Sequence, residues 1–259
     1  MRVVILPTEV EASNFAAQFI VDYINTNEHP VVGLATGGSV VLTYEALIDK
    51  HQLGEVSFNE TTSFNLDEYL ELPPTHSQSY RNYMNQKLFD HINIKKSNTF
   101  IPECFDDNFD LACSNYENEI KQSGGIGLQL LGVGSNGHIG FNEPTSSLQS
   151  RTRVKTLTEN TLSKNARFFN KSEIQPSLAI TMGIGTIMES KSILLIGLGK
   201  HKSKAVADVI EGPLSAFCPG SVLQNHQNTT IVLDKLAASK LKLYDYYIQT
   251  EKMKSKYNC

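Results

Sequence analysis

An imidazole and a carboxylate stand five residues apart in Leu130-Leu131-Gly132-Val133-Gly134-Ser135-Asn136-Gly137-His138-Ile139-Gly140-Phe141-Asn142-Glu143-Pro144, directly after an apolar run. Glycines let a backbone turn sharply and approach a ligand closely. An imidazole titrates near neutral pH, and a carboxylate within reach fixes its tautomer and raises its basicity. The stretch reads as an active-site loop built for proton transfer. Phe64-Asn65-Leu66-Asp67-Glu68-Tyr69 closes a second strand on adjacent acids. A carboxylate there can take a proton from carbon if burial raises its pKa, although either acid taken alone reads as a loop residue or helix cap. Leu34-Ala35-Thr36-Gly37-Gly38-Ser39 lies between a strand and a helix expected from about Val40 to Lys50. A glycine pair and a hydroxyl at a helix start offer N–H groups and a favourable dipole to a phosphate; the ordinary alternative is a tight turn with Ser39 as N-cap.

Two familiar nucleotide motifs are set aside. Thr36 to Ser39 lacks the Gly-Lys-Ser/Thr ending of a Walker A loop. Gly132-Val133-Gly134-Ser135-Asn136-Gly137 matches GxGxxG, but a dinucleotide fold would continue into a long helix, and here His138 and the proline-interrupted Asn142 to Ser147 follow. Arg151, Arg153, Lys155, Arg167 and Lys202 supply guanidinium and ammonium groups suited to a phosphate. Each taken singly reads as a solvated surface charge. The seven histidines show neither HxxH nor HxxxH spacing, so no metal is expected.

These groups need a frame. Short aliphatic runs recur at Val3 to Leu6, Val31 to Ala35, Thr61 to Leu66, Leu128 to Leu131, Leu178 to Thr181, Ile193 to Ile196 and Thr229 to Leu233. Helical spacing marks Glu11 to Asn25 and Asp234 to Gln249 between them. Alternating strands and helices predict an α/β fold: a three-layer αβα sandwich with a mainly parallel, Rossmann-like sheet, in one domain over residues 1–259. Ligands of such sheets bind at the carboxyl ends of strands, where each polar cluster above sits. With 40% hydrophobic residues the chain can bury a sizeable core. A net charge of −4 with scattered basic residues argues against nucleic acid. The four cysteines (Cys104, Cys113, Cys218 and Cys259) lie far apart without a CxxC pair and read as reduced thiols. Neither a signal peptide nor a membrane span is read in the chain, so a soluble cytoplasmic protein is expected.

Together, Thr36-Gly37-Gly38-Ser39, Asn65-Leu66-Asp67-Glu68-Tyr69, Gly137-His138-Ile139-Gly140-Phe141-Asn142-Glu143-Pro144 and Ser150-Arg151-Thr152-Arg153-Val154-Lys155-Thr156-Leu157-Thr158 resemble the glucosamine-6-phosphate deaminase family, in order over nearly the whole chain. The resemblance implies reversible conversion of glucosamine 6-phosphate and water to fructose 6-phosphate and ammonium, in amino-sugar catabolism fed by N-acetylglucosamine and N-acetylneuraminate, without a cofactor. It implies that Asp67 moves a proton between C2 and C1, that His138 shuttles a proton during ring opening, and that Glu143 and Asn136 orient His138. Some members carry aspartate where Asn136 stands, and an amide cannot hold that charge. It further implies a phosphate cradle of Thr36, Gly37, Gly38 and Ser39, with Gly132 and Gly134 lining the substrate and Arg167 and Lys202 clamping it. Ser146, Arg153 and Lys155 resemble part of an effector site found between subunits of some hexameric relatives; other relatives lack that control, and homo-oligomer and subunit count stay open. Two alternatives share the architecture. A 6-phosphogluconolactonase would follow its histidine with a Thr-Ala-Ser type of sequence, where Ile139-Gly140-Phe141 stands here. A sugar-phosphate sensor would need a DNA-binding segment, for which no room is expected before the strand at Val3.

Overall fold

A computed structural model describes residues 1–70, 72–103, 108–157 and 176–257. The chain opens with β1 (Arg2–Leu6) and α1 (Glu9–Asn25). Helix α1 starts at Thr8, whose hydroxyl accepts the Glu11 N–H and donates to the Glu11 carboxylate. Its buried residues Ala12, Ala16, Ile20 and Ile24 recur at helical spacing. Then follow β2 (Val31–Leu34), α2 (Val41–Gln52), β3 (Thr62–Asn65), β4 (Asp67–Tyr69), α3 (Tyr80–Met84), β5 (Thr99–Phe100), α4 (Phe109–Gln122), β6 (Leu128–Gly132) and β7 (Arg153–Thr156). The chain continues through β8 (Leu178–Thr181), α5 (Ile184–Met188), β9 (Ser192–Gly197), α6 (Ser203–Glu211), β10 (Thr229–Asp234) and α7 (Tyr244–Tyr257).

Seven strands form a parallel sheet in the order β1-β10-β9-β6-β2-β3-β5. It is flanked by helices, as the alternation of elements predicts. The central strands are apolar on both faces: Leu128, Leu130, Leu131, Ile193, Leu194, Ile196, Ile231 and Leu233 are all at most 1% exposed. Among the described residues no helix is long and apolar enough to cross a membrane. Cys113 and Cys218 carry no disulfide.

The expected strand from Thr61 to Leu66 ends one residue early, and that residue is a junction. Leu66 N–H donates to Leu34 O in the large sheet, while Leu66 O accepts the Met182 N–H at 2.6 Å from the end of β8. The chain thereby passes into a second, antiparallel sheet in the order β4-β8-β7, with Asp67 opposite Thr181 and Arg153 opposite Thr181 from the other side. Leu178 to Thr181 is thus a strand as expected but belongs to this small sheet. A short run buried on both faces has no periodicity that tells which sheet it joins.

A second correction concerns Asp234 to Gln249. Asp234 ends β10, and its buried carboxylate accepts the N–H groups of Gly199, Leu236 and Ala237 at 2.8, 3.2 and 3.1 Å. A short 3₁₀ turn at Ala237–Lys240 follows. The Glu211 carboxylate then takes the Lys242 and Leu243 N–H groups at 2.7 and 2.8 Å, so the helix begins only at Tyr244. Donors claimed by two carboxylates cannot enter a helical ladder. Asp234→Ala would strand three N–H groups at the joint between β10 and the Gly199 turn. It is expected to cost about 2–4 kcal/mol of unfolding free energy, measured by chemical denaturation.

Candidate active site

The order of the parallel sheet locates a crevice. From β2 the chain moves outward to β3 and β5, and from β6 it moves the other way to β9 and β10, so the direction of winding reverses between neighbours β2 and β6. Ligands of open α/β sheets bind beyond the strand ends at such a reversal. Thr36 to Ser39 leaves β2 there, and Gly132 to His138 leaves β6. A side-chain carbon on Gly132 would lie 3.9 Å from Ser39 Cβ, so the two loops face each other at van der Waals range.

The first loop is held from beneath. Tyr44, fully buried, donates its hydroxyl to Ala35 O at 2.5 Å, and Tyr83 donates to Gly37 O at 2.9 Å. Gly38 to Val40 forms a single 3₁₀ turn, and α2 starts after Val40 with no side-chain cap. Ser39 is therefore not the N-cap that a plain turn would make of it. The first N–H groups of a twelve-residue helix keep their dipole, and the cap residue Val40 offers them no side-chain acceptor.

In the second loop, Gly137 has φ +82° and a side chain there would press on Cys218 Sγ at 2.5 Å. A side chain on Gly134 would strike the His138 ring at 2.3 Å. The imidazole thus folds back over a bare backbone, and Gly134 N–H donates to His138 O at 2.9 Å. His138 Nδ1 lies 3.3 Å from Glu143 Oε1, a close contact without the alignment of a full hydrogen bond. The other Glu143 oxygen accepts from Asn136 Nδ2 at 2.7 Å. One buried carboxylate, backed by a neutral amide, faces an imidazole that keeps a quarter of its surface exposed.

Asp67 lies on β4 at 5% exposure. Burial pushes its pKa up to about 8, the neighbouring Glu68 charge adds to the rise, and a hydrogen bond from Phe141 N–H opposes it. Glu68 cannot turn away. Its carboxylate accepts the N–H groups of Tyr69, Tyr80 and Arg81, each at 2.8 Å, and so anchors the start of α3. Tyr69, Tyr80 and Phe141 wrap this region with ring centroids 4.9 to 6.0 Å apart, and the Tyr80 hydroxyl bonds the Thr36 side chain. Thr36, Asp67 and the His138 loop are thereby joined through contacts of Tyr80 and Phe141. Tyr80 and Tyr83 were not singled out from the sequence; their signal was two tyrosines at helical i, i+3 spacing in a polar stretch.

The basic candidates separate. Arg151 is committed to the carboxylates of Glu117 and Glu189. Arg153, half-buried on β7, donates to Asn142 Oδ1 at 2.9 Å, and Lys155 lies two residues along the same strand. Ser146 is buried beside this loop, its N–H on Glu143 O. Lys202 closes a 3₁₀ turn between β9 and α6, at the same carboxyl end of the parallel strands as the crevice. Arg167 lies outside the described residues. Among the described residues no group of three or more His, Cys, Asp or Glu side chains could hold a metal ion.

The chain matches the family described as glucosamine-6-phosphate isomerases/6-phosphogluconolactonase over residues 8–232. It is 49% identical to a glucosamine-6-phosphate deaminase of Colwellia psychrerythraea, covering 100% of this chain and 97% of the relative. It is 51% identical to one of Shewanella woodyi, covering 97% and 95%. Among solved structures, a monomeric glucosamine-6-phosphate deaminase superposes with a TM-score of 0.89 at 44% identity, over 92% of this chain and 99% of the other. A 6-phosphogluconolactonase from Trypanosoma cruzi shares the fold, with a TM-score of 0.73 at 19% identity over 93% and 97%.

The buried acid carries a cost in stability that depends on pH. A carboxyl whose folded pKa of about 8 exceeds its ordinary value of 3.8 binds more protons folded than unfolded between those limits, so its contribution to stability falls as pH rises through that window. Asp67→Asn removes the titration. The variant should melt above the parent, by a margin that is small near pH 4 and widens towards pH 8. Thermal melts across this range provide the check, and a margin independent of pH would contradict the burial.

Proposed function

The chain belongs to the family of glucosamine-6-phosphate isomerases and 6-phosphogluconolactonases, and from that membership we propose that it acts on glucosamine 6-phosphate. It is an isomerase-type enzyme that converts glucosamine 6-phosphate and water to fructose 6-phosphate and ammonium. The observation that carries this reading is identity of about half the residues to deaminases along the whole chain, against 19% to the Trypanosoma cruzi lactonase. The His138–Glu143 contact at 3.3 Å supports it, because the lactonase type of sequence after the histidine has no carboxylate in that role.

The phosphate sits on the N–H groups of the Gly37 to Ser39 turn and the start of α2, where fixed donors and the helix dipole meet the dianion. The Lys202 ammonium, and Arg167 by resemblance, add charge. With that end anchored, His138 removes the proton from O1 and returns it to O5, which opens the pyranose. Glu143 faces the imidazole and stabilises its charged form, while Asn136 keeps Glu143 in place. Asp67 then takes the C2 proton while O1 gains one, giving an enolamine, and delivers its proton to C1; the amine gives up a proton to match the one gained by O1 and becomes a ketimine at C2. Water adds to that carbon and ammonium leaves, which balances the atoms without a redox partner. A carboxylate with a pKa near 8 is basic enough for a carbon acid and is still partly ionised near neutral pH. The reaction belongs to amino-sugar catabolism, whose amine it removes, and the phosphorylated substrate suits a cytoplasmic enzyme.

Incubation with glucosamine 6-phosphate should release ammonium and fructose 6-phosphate in equal amounts. Asp67→Asn should lower that rate by about 10²- to 10⁴-fold and abolish exchange of the C2 hydrogen with solvent, while substrate binding persists. Hydrolysis of a phosphogluconolactone in place of deamination would replace this reading.

A further inference from the structure

We propose that Asn142 is a positioning residue that sets the His138–Glu143 pair against Asp67, and that Arg153 fixes the orientation of its amide. Asn142 is 0% exposed, and every polar atom of its side chain is engaged. Its Nδ2 donates to Ile139 O and to Met182 O, both at 2.9 Å, and its Oδ1 accepts from Arg153 Nη1 at 2.9 Å. Its own N–H also donates to Ile139 O at 3.2 Å.

The three partners belong to three different parts of the site. Ile139 follows His138, and Asn142 itself precedes Glu143, so the amide closes the loop between imidazole and carboxylate. Met182 directly follows β8, and its N–H donates to the carbonyl of Leu66, the residue before Asp67. Between them, Phe141 N–H reaches Thr181 Oγ1 at 3.1 Å and the Asp67 carboxylate. A guanidinium only donates, so Arg153 demands the oxygen of the amide and thereby turns the NH₂ towards the two carbonyls. With Arg153 removed, the amide oxygen loses its buried donor and only the two carbonyls hold that choice. With Asn142 replaced by aspartate, an oxygen would face two carbonyl oxygens at hydrogen-bond range in a buried site, and repulsion would open the loop.

This inference rests on the deaminase reading, and its tests are separate from it. Wild-type activity on glucosamine 6-phosphate decides the reaction, whereas the ratio of variant to wild type decides the role of Asn142. Displacement of reacting groups by about 1 Å is worth about 10²-fold in rate. Asn142→Asp should therefore lower kcat by about 10- to 100-fold while KM stays within about threefold, because the phosphate cradle lies on other elements. Arg153→Met should show a smaller fall of the same kind, and Arg153→Lys should recover part of it by keeping a donor. In Asn142→Leu, adding Arg153→Met should cause little further loss, since both act through one contact. Independently of activity, the Phe141 amide should exchange with solvent at least tenfold faster in Asn142→Asp at unchanged global stability. Wild-type kcat in Asn142→Asp, additive losses in the double variant, or an unchanged Phe141 exchange rate would each overturn the assignment.

Discussion

The site depends on keeping one carboxylate out of water. Asp67 gains its basicity from burial and from the charge of Glu68 beside it, and both conditions are structural. Glu68 stays close because three backbone N–H groups hold its oxygens, and those same bonds start α3, which brings Tyr80 over the acid. Removing water around Asp67 and positioning Tyr80 are therefore one arrangement. The unfavourable term it leaves in the folded state is offset by the large sheet, whose central strands contribute apolar burial on both faces.

The loop after β6 shows how a second functional group can be fixed without rigid secondary structure. Gly134 yields its side-chain volume to the His138 ring, and Gly137 takes a left-handed turn against Cys218. Glu143 divides its two oxygens between His138 and Asn136. With an amide at 136, the loop carries a single negative charge next to the imidazole. Asn136 supplies geometry and Glu143 supplies the field, a division of labour that an aspartate at 136 would blur.

Much of this was legible in the residues, for physical reasons. The parallel strands are short runs of aliphatic residues bounded by turns, and burial on both faces leaves that mark in any sequence. The polar clusters at strand ends follow from the rule that places ligands there, so Thr36 to Ser39, Asp67 and His138 could be named before their contacts were known. The small sheet was not legible. β4 is Asp-Glu-Tyr, β7 is Arg-Val-Lys-Thr, and neither has an apolar run or alternation strong enough to mark a strand. Their pairing is set by the junction at Leu66 and by contact with β8. The stop before α7 was hidden for a similar reason, because it depends on Asp234 and Glu211 capturing N–H groups from residues that share a helical apolar spacing.

The junction at Leu66 has a bearing on substrate length. The loop proposed as anion cradle is rooted in the seven-stranded sheet, whereas Asp67, the acid proposed to act on C2, rides on the three-stranded one, and a single residue hydrogen-bonded to both couples the two frames. Under that assignment their offset would act as a ruler laid along the sugar, with the phosphoester at one mark and the reacting carbon at the other. On the proposed function, a ligand one carbon shorter or longer would be gripped at its phosphate and miss the acid, which would write selection among sugar phosphates into the backbone as much as into any side chain.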